Sequence, residues 1–487
     1  MKHVLSKSTF MYGCQCTKRL YLHKFKPELK NPEDENQQAV FQTGTDVGIL
    51  ARQLFDGGVD ASPPNPFSYH ISVENTQHFL HTHFVIYEAA FQFEGVLCAI
   101  DILVREGKKW YAFEVKSSTS VKPQYIEDAA LQYYVMKNSG LQIEDISIVY
   151  LNNEYVRDGK LEIQKLFATQ SVLNEVLEKQ NNVANKIVEL KMLLENKQEP
   201  VVEIGKQCFE PYECDFTNLC WSHMPNENSI FDLSYGPSWK LYEEGITLLD
   251  EIPDDFKMSA KAQMQLKHYK SGDAFCDKEE IKNFINQFEY PLYFFDFETF
   301  NSAIPELNQS KSYQQIPFQF SLHIQKSKNA DVEHVEFLGD GINDPRIPLI
   351  ESMLKHLGKS GNIVCYNKSF EQTRIKEMAL NFPAYEKELL ALNERVVDLM
   401  EPFQKRWFYH PNFKGGYSIK VVLPTLIPEL SYNDLEIKEG GTASFTYSQL
   451  SFQDDVTQMN QRKQLLEYCK LDTFAMVKIW EWLITLK

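Results

Sequence analysis

The sequence of 487 residues lacks any apolar run near the ~18 residues that a membrane-spanning helix requires. Its opening, MKHVLSKSTFMYGCQC, lacks the apolar core of a secretory signal. Internal repeats and low-complexity tracts are absent as well. Positive charge is in deficit, with 50 Lys and Arg against 67 Asp and Glu and a formal net charge of −17. That argues against a passive nucleic-acid coat, which is basic, but leaves room for an enzyme whose basic contacts are local. Cysteine is present nine times, an odd number, so a disulfide framework is not expected. These absences predict a cytoplasmic protein with no membrane contact.

What is present is an ordinary globular composition, 43% hydrophobic and 24% charged, at a length that predicts two or three domains. Three segments are expected: 1–228, a helical connector over 229–286, and 287–487. GVLCAIDILVRE, GKK and WYAFEVKSS, from position 95, read as a β-hairpin with a polar turn. Residues 171–198 read as one long amphipathic helix, and the last segment, from QRKQLLEYCKLDTF onward, as another. The expected class is α/β throughout.

The run YFFDFETF, residues 293–300, places two carboxylates in the most aromatic stretch of the chain. Strand side chains alternate, so Asp296 and Glu298 project from one face. Two buried like charges need a neutraliser, and a divalent metal is the natural one. Downstream, Asn367, Phe370 and Glu371 follow an apolar strand at an expected helix start. Tyr468 and Asp472, four apart, share one face of the last helix. Asp296, Glu298, Glu371 and Asp472 can together hold two divalent ions about 4 Å apart, which activates water for phosphodiester cleavage. Tyr468 can orient that water through its hydroxyl. Asp398 is read as structural.

The N-terminal hairpin carries Asp101 on one strand and Glu114-Val115-Lys116 on the next. Glu114 and Lys116 share a face, which suits a metal-held acid beside a lysine that stabilises developing negative charge. Glu88 lies one strand earlier and can join the metal shell, and Gln132 lies on the following helix. Cys208, Cys214 and Cys220 recur at intervals of six, a grouping typical of zinc or an iron–sulfur cluster. With three thiols local, a fourth ligand must come from elsewhere.

The order DFE, then Asn with an aromatic and an acid, then Tyr468-x-x-x-Asp472, resembles the tyrosine subtype of the DEDD 3′–5′ exonucleases. The resemblance implies a ribonuclease-H-like fold and a two-metal site, with Glu371 standing where the family has Asp. Asp101, Glu114-x-Lys116 and Gln132 resemble the RecB-like branch of the PD-(D/E)xK nucleases, with Gly48 where that branch often carries His and Met136 where it often carries Tyr. With the cysteines, the N-terminal half resembles the iron–sulfur members of that branch, of the AddB and CRISPR-adaptation type. Those members take one cysteine from before the nuclease core, which implies Cys16, with Cys14 as its rival, and a [4Fe–4S] cluster, with Zn²⁺ as the alternative. The whole chain thus resembles a bacterial fusion of the two nuclease types.

The implied activity is Mg²⁺- or Mn²⁺-dependent hydrolysis of nucleic acid, DNA before RNA, in repair or in defence against foreign DNA. Two other outcomes stay open: one active site with the other domain binding substrate, or a nucleic-acid-binding scaffold. SWKLYEEGITLLDEIPDDF, in the connector, reads as helix, Gly245-Ile246 turn, helix, and resembles a helix–hairpin–helix. TKRLYLHKFKPELK, residues 17–30, is the one basic stretch, read either as a solvated face or as a local nucleic-acid contact.

Overall fold

Alternation and turn chemistry account for most of the first sheet. The computed structural model describes residues 4–32 and 35–487 and divides into two units. The first is Met1–His223 with Ser302–Tyr313, and the second is Met224–Asn301 with Gln314–Lys487. Both are mixed α/β, and no helix among the described residues is long and apolar enough to cross a membrane.

The first unit holds β1 (Leu5–Ser6), β2 (Val59–Asp60), β3 (Val85–Phe93), β4 (Val96–Glu106), β5 (Lys109–Lys116), β6 (Ile143–Leu151) and β7 (Phe167–Ser171). The sheet order is β2-β3-β4-β5-β6-β7, with β1 parallel to β4. β3, β4 and β5 run antiparallel. Glu94 and Gly95, with φ of 46° and 77°, make the tight primed turn between β3 and β4. The expected hairpin is formed by β4 and β5. The helix Pro123–Asn138 then crosses over to β6, which pairs in parallel with β5.

The expected long helix spans Leu173–Asn196 and buries Val176, Val183, Ile187 and Leu190 at helical spacing. It packs with the helix Pro123–Asn138 over Phe91, Ile100 and Ile148. The helix Lys7–Gln15 approaches it so closely that a Cβ on Gly13 would meet Leu190. A separate core, built on Val47, Ile102, Val149 and Leu151, covers the other face of the sheet.

Strand parity breaks in the middle of this sheet. On β4, Val96, Cys98 and Ile100 pack in the first core, yet Ile102 packs in the second. On β3, Ala89 and Phe91 belong to the first core, whereas Tyr87 packs on the second. The irregularity sits at Glu88 and Asp101, which drop out of the pairing between Tyr87↔Ile102 and Ala89↔Ile100. Glu88 takes φ of 54°, a strained value for a residue with a side chain.

The second unit holds β8 (Phe275–Cys276), β9 (Leu292–Phe300), β10 (Ile316–Gln325), β11 (Val332–Leu338), β12 (Asn362–Cys365), β13 (Val396–Asp398) and β14 (Phe408–Tyr409). Its main sheet has the order β11-β10-β9-β12-β13, and β8 pairs with β14 apart from it. β9 is central, antiparallel to β10 and parallel to β12. Phe295 and Phe297 point into a core with Phe320, Ile350, Met353 and Ile375. The terminal helix, Asp455–Leu483, lies on β9 and β10.

The connector residues belong to this second unit and form short helices, among them Ser238–Glu243, Ala260–Ser271 and Lys278–Ile285. The expected helix–hairpin–helix is not formed. Gly245, at φ of 81°, ends the first helix, but a single three-residue turn, Leu249–Glu251, stands where the second helix was expected. Pro253, close behind, leaves no room for a helix to propagate.

Candidate functional site

β9 carries Asp296 and Glu298 on the face opposite Phe295 and Phe297, as alternation requires. Glu371 comes from the first turn of the helix Lys368–Asn381, whose N-cap Asn367 is left-handed at φ of 79°. Asp398 accepts the backbone N–H groups of Asn367, Lys368 and Met400, so it builds this loop, the structural role expected for it. Tyr468 and Asp472 arrive on the terminal helix.

The acids converge. Oxygens of Asp296 and Glu298 lie within 4.8 Å of each other and of the Cys469 sulfur, the one such grouping of three metal-ligating side chains among the described residues. Asp296 is hydrogen-bonded to Glu371. Glu371 is 2% exposed, and its Oε2 has no hydrogen-bond partner. Burial, with the nearby Asp472 charge, raises the Asp296 carboxyl well above the ordinary range. Burial, with Asp296 beside them, does the same to Glu298 and Glu371. Burial pushes Asp472 up to about 6, although Tyr432 and Lys420 pull it down. Such a donor set, acidic, buried and short of counter-charge, fits divalent cations.

Sequence reasoning missed Lys420, Tyr432 and Cys469 at this site. Lys420 lies on the helix Ile419–Leu426, its ammonium 5.4 Å from the Tyr468 ring and 5.6 Å from that of Tyr432. It acts electrostatically on Asp296, Glu298 and Asp472.

The first unit gathers the second set. Glu114, 2% exposed, accepts Lys7 Nζ at 2.6 Å and Lys116 Nζ at 2.8 Å on Oε1, and Gln132 Nε2 at 2.5 Å on Oε2. Lys116 also donates to Asp128 at 2.5 Å. Asp101 Oδ2 accepts the Val115 N–H at 2.6 Å. Burial and the Glu114 charge push Asp101 up to about 8. Burial works against ionisation of Glu114 too, but Lys116 and Lys7 outweigh it and hold that carboxyl at about 2. Burial raises Glu88 despite its 3.3 Å contact with Arg52, and Glu114 adds to the rise. The parity break thus brings Glu88 and Asp101 into the field of Glu114. Lys7 and Asp128 are the residues that sequence reasoning missed here.

Cys16, Cys208, Cys214 and Cys220 line one cavity, while Cys14 lines another beside Lys7 and Lys116. Gln15 ties the two segments together by donating to the backbone carbonyls of Gln207 and Tyr212. Burial pushes the Cys214 thiol up to about 11, so it needs a metal to ionise at neutral pH. The four thiols do not close to the 4.8 Å spacing seen at Asp296. The basic stretch is engaged locally: Arg19 is buried against Asp215, and Lys18 and Lys26 pair with Glu199.

Over a broad span the chain is similar to Uncharacterized protein MG366 of Mycoplasma genitalium, 24% identical over 405 residues, covering 71% of this chain and 60% of that protein. It is also similar to Uncharacterized protein UU173 of Ureaplasma parvum, 29% identical over 212 residues, covering 38% of this chain and 30% of that protein. The match thus spans about three-fifths of the first relative and under a third of the second. Residues 293–418, which include Asp296, Glu298 and Glu371, match a family described as a domain of unknown function, DUF2779.

Proposed function

We propose that the chain is a metal-dependent nuclease that hydrolyses phosphodiester bonds of nucleic acid, DNA before RNA. The second unit would carry a 3′–5′ exonuclease site and the first a RecB-like site. The observation behind this reading is the convergence of Asp296, Glu298, Glu371 and Asp472, from a central strand and two helices, into one buried acidic site. A mixed sheet with its acid pair on the central strand supports a ribonuclease-H-like domain. Three antiparallel strands, a crossover helix and a parallel fourth strand, bearing Asp101, Glu114, Lys116 and Gln132, support a PD-(D/E)xK domain.

Divalent ions held by the four acids of the second unit would neutralise charge and activate water. The residues around them divide the remaining work. Tyr432 orients Asp472, Tyr468 presents a hydroxyl one helical turn before it, and Lys420 faces the acids with a positive charge. In the first unit, the cysteine quartet fits a metal group. A single zinc with Zn–S of about 2.3 Å brings its sulfurs to roughly 3.8 Å of each other. The four thiols around one cavity, one from before β2 and three from after β7, support an iron–sulfur cluster with zinc as the alternative.

The test is degradation of end-labelled single- and double-stranded DNA and RNA by anaerobically purified protein, with Mn²⁺, Mg²⁺ or EDTA. Metal-dependent laddering that is lost in Asp296→Asn and kept in Asp101→Asn assigns the exonuclease to the second unit. Loss in Asp101→Asn alone moves the chemistry to the first. Binding without cleavage under every metal overturns the reading in favour of a scaffold.

A further inference from the structure

We propose that Lys7 is a resident cation of the first unit's acidic site, and that a divalent ion displaces it from Glu114. This inference rests on the reading of Glu88, Asp101 and Glu114 as metal ligands.

Glu114 already carries three donors. A carboxylate offers about four lone-pair directions. Lys7 and Lys116 share Oε1, and Gln132 takes one on Oε2. These three donors satisfy a buried charge that would otherwise be costly. They also block it, because a divalent ion sharing Oε1 would sit against two ammonium groups. For an ion on Oε1, one of them has to leave.

The two lysines are not held equally. Lys116 has a second anchor in Asp128 at 2.5 Å, and its ammonium lies 5.1 Å from the centre of the Tyr125 ring. Lys7 is the first helical residue after the N-cap Ser6, where positive charge opposes the helix dipole. Its side chain is 26% exposed and lines an open cavity together with Tyr12, Lys116, Asp128 and Lys186. Lys7 therefore has the weaker hold, and its side chain is the more exposed of the two, 26% against 17%. Its backbone need not move, since the capping box of Ser6 with Thr9 and the contact of Gly13 with Leu190 fix the helix. Once released, the ammonium faces the same cavity, where Arg19 and Lys186 are already paired with Asp215 and Glu189 and leave it as the cation without a carboxylate partner.

The experiment uses the full chain carrying Asp296→Asn and Asp472→Asn, so that Mn²⁺ binding reports the first unit. Acetylation of Lys7 by an amine-reactive reagent is followed by mass spectrometry with and without Mn²⁺, and Mn²⁺ affinity is measured by calorimetry. Labelling of Lys7 is expected to rise about fivefold or more with Mn²⁺, while that of Lys116 stays low. Lys7→Met is expected to bind Mn²⁺ about tenfold more tightly, and Lys7→Arg to stay near the parent. Mn²⁺ binding with unchanged Lys7 labelling overturns the proposal, and so does Lys7→Met with equal or weaker affinity. The labelling arm needs no Lys7 variant to fold. If Mn²⁺ does not bind, or binds equally with Asp101→Asn added, the metal reading of the site falls and the proposal falls with it.

Discussion

The Tyr432 hydroxyl donates a 2.6 Å hydrogen bond to Oδ1 of Asp472, and both residues are buried. Asp472 would otherwise face Asp296 with only Lys420 to favour its charged form. Burial already lifts it to about 6, and the hydroxyl works against that lift. In Tyr432→Phe the carboxyl should rise further and be less ionised near neutrality. A hydrogen bond to a charged group contributes about 1.5–3 kcal/mol, so the acidic limb of the pH–rate profile should move up by about one to two pH units. A profile of Mn²⁺-dependent cleavage from pH 5 to 9 checks this, and an unmoved limb contradicts it.

Asp296 should cost stability where it serves activity. Burial, then Asp472, raises its folded pKa above the unfolded value of 3.8. A carboxyl raised in this way binds its proton more tightly when folded. The native state is therefore penalised once pH exceeds the unfolded value, and the penalty grows until pH passes the folded one. Asp296→Asn removes it, so in EDTA at pH 8 the variant should melt higher by a few degrees, at ~2–4 °C per kcal/mol. Mn²⁺ should raise the melting point of the parent more than that of the variant. A variant that melts lower in EDTA would count against the buried-charge account.

The cysteine cavity separates Cys16 from Cys14. Protein purified without oxygen should be coloured and should carry iron and acid-labile sulfide. Cys16→Ser and Cys214→Ser should lose both, and Cys14→Ser should keep them. Zinc in place of iron, found by elemental analysis, would overturn the cluster assignment while keeping the ligand set.

His323, buried, and His334, partly buried, lie with ring centres 4.5 Å apart at a tilt of 33°, with Thr473 on His323 Nδ1 and Ser321 on His334 Nε2. Burial lowers His323 to about 3 and His334 to about 4 from an ordinary 6.5, and the Lys470 charge adds to both. Both rings are neutral in the fold. Their contribution is complete above pH 6.5 and is lost as pH falls from there towards 4, because the unfolded chain takes up protons first. The parent should therefore lose melting temperature, relative to His323→Gln, as pH drops from 7 to 5. A difference that does not change over that interval would refute the neutral pair.

Much of this was legible before any coordinates. A period of two placed Asp296 beside Glu298, a period of 3.6 placed Tyr468 over Asp472, and the hairpin turn set Asp101 against the strand of Glu114 and Lys116. What stayed hidden has physical reasons. Lys7 meets Glu114 across 107 positions, a contact with no local pattern. Lys420 and Tyr432 reach the site from helix and loop segments whose own spacing carries no sign of it. The parity break at Glu88 and Asp101 is invisible because alternation assumes regular pairing, and an irregularity there re-aims the side chains. The connector misled because Gly245 signals the end of one helix but carries no information about the next element.

Cys16 and Cys208 line one cavity although β2 through β7 run between them in the chain. A group bonded to both would turn an open chain into a ring of about 190 residues. Closing a ring of that length removes unfolded-state entropy worth about 5 kcal/mol. A force applied outside the ring would then be carried past β2 through β7. Apart from the short pairing of β1 with β4, which lies outside the ring, the mechanical strength of the sheet would be set by bonds to sulfur.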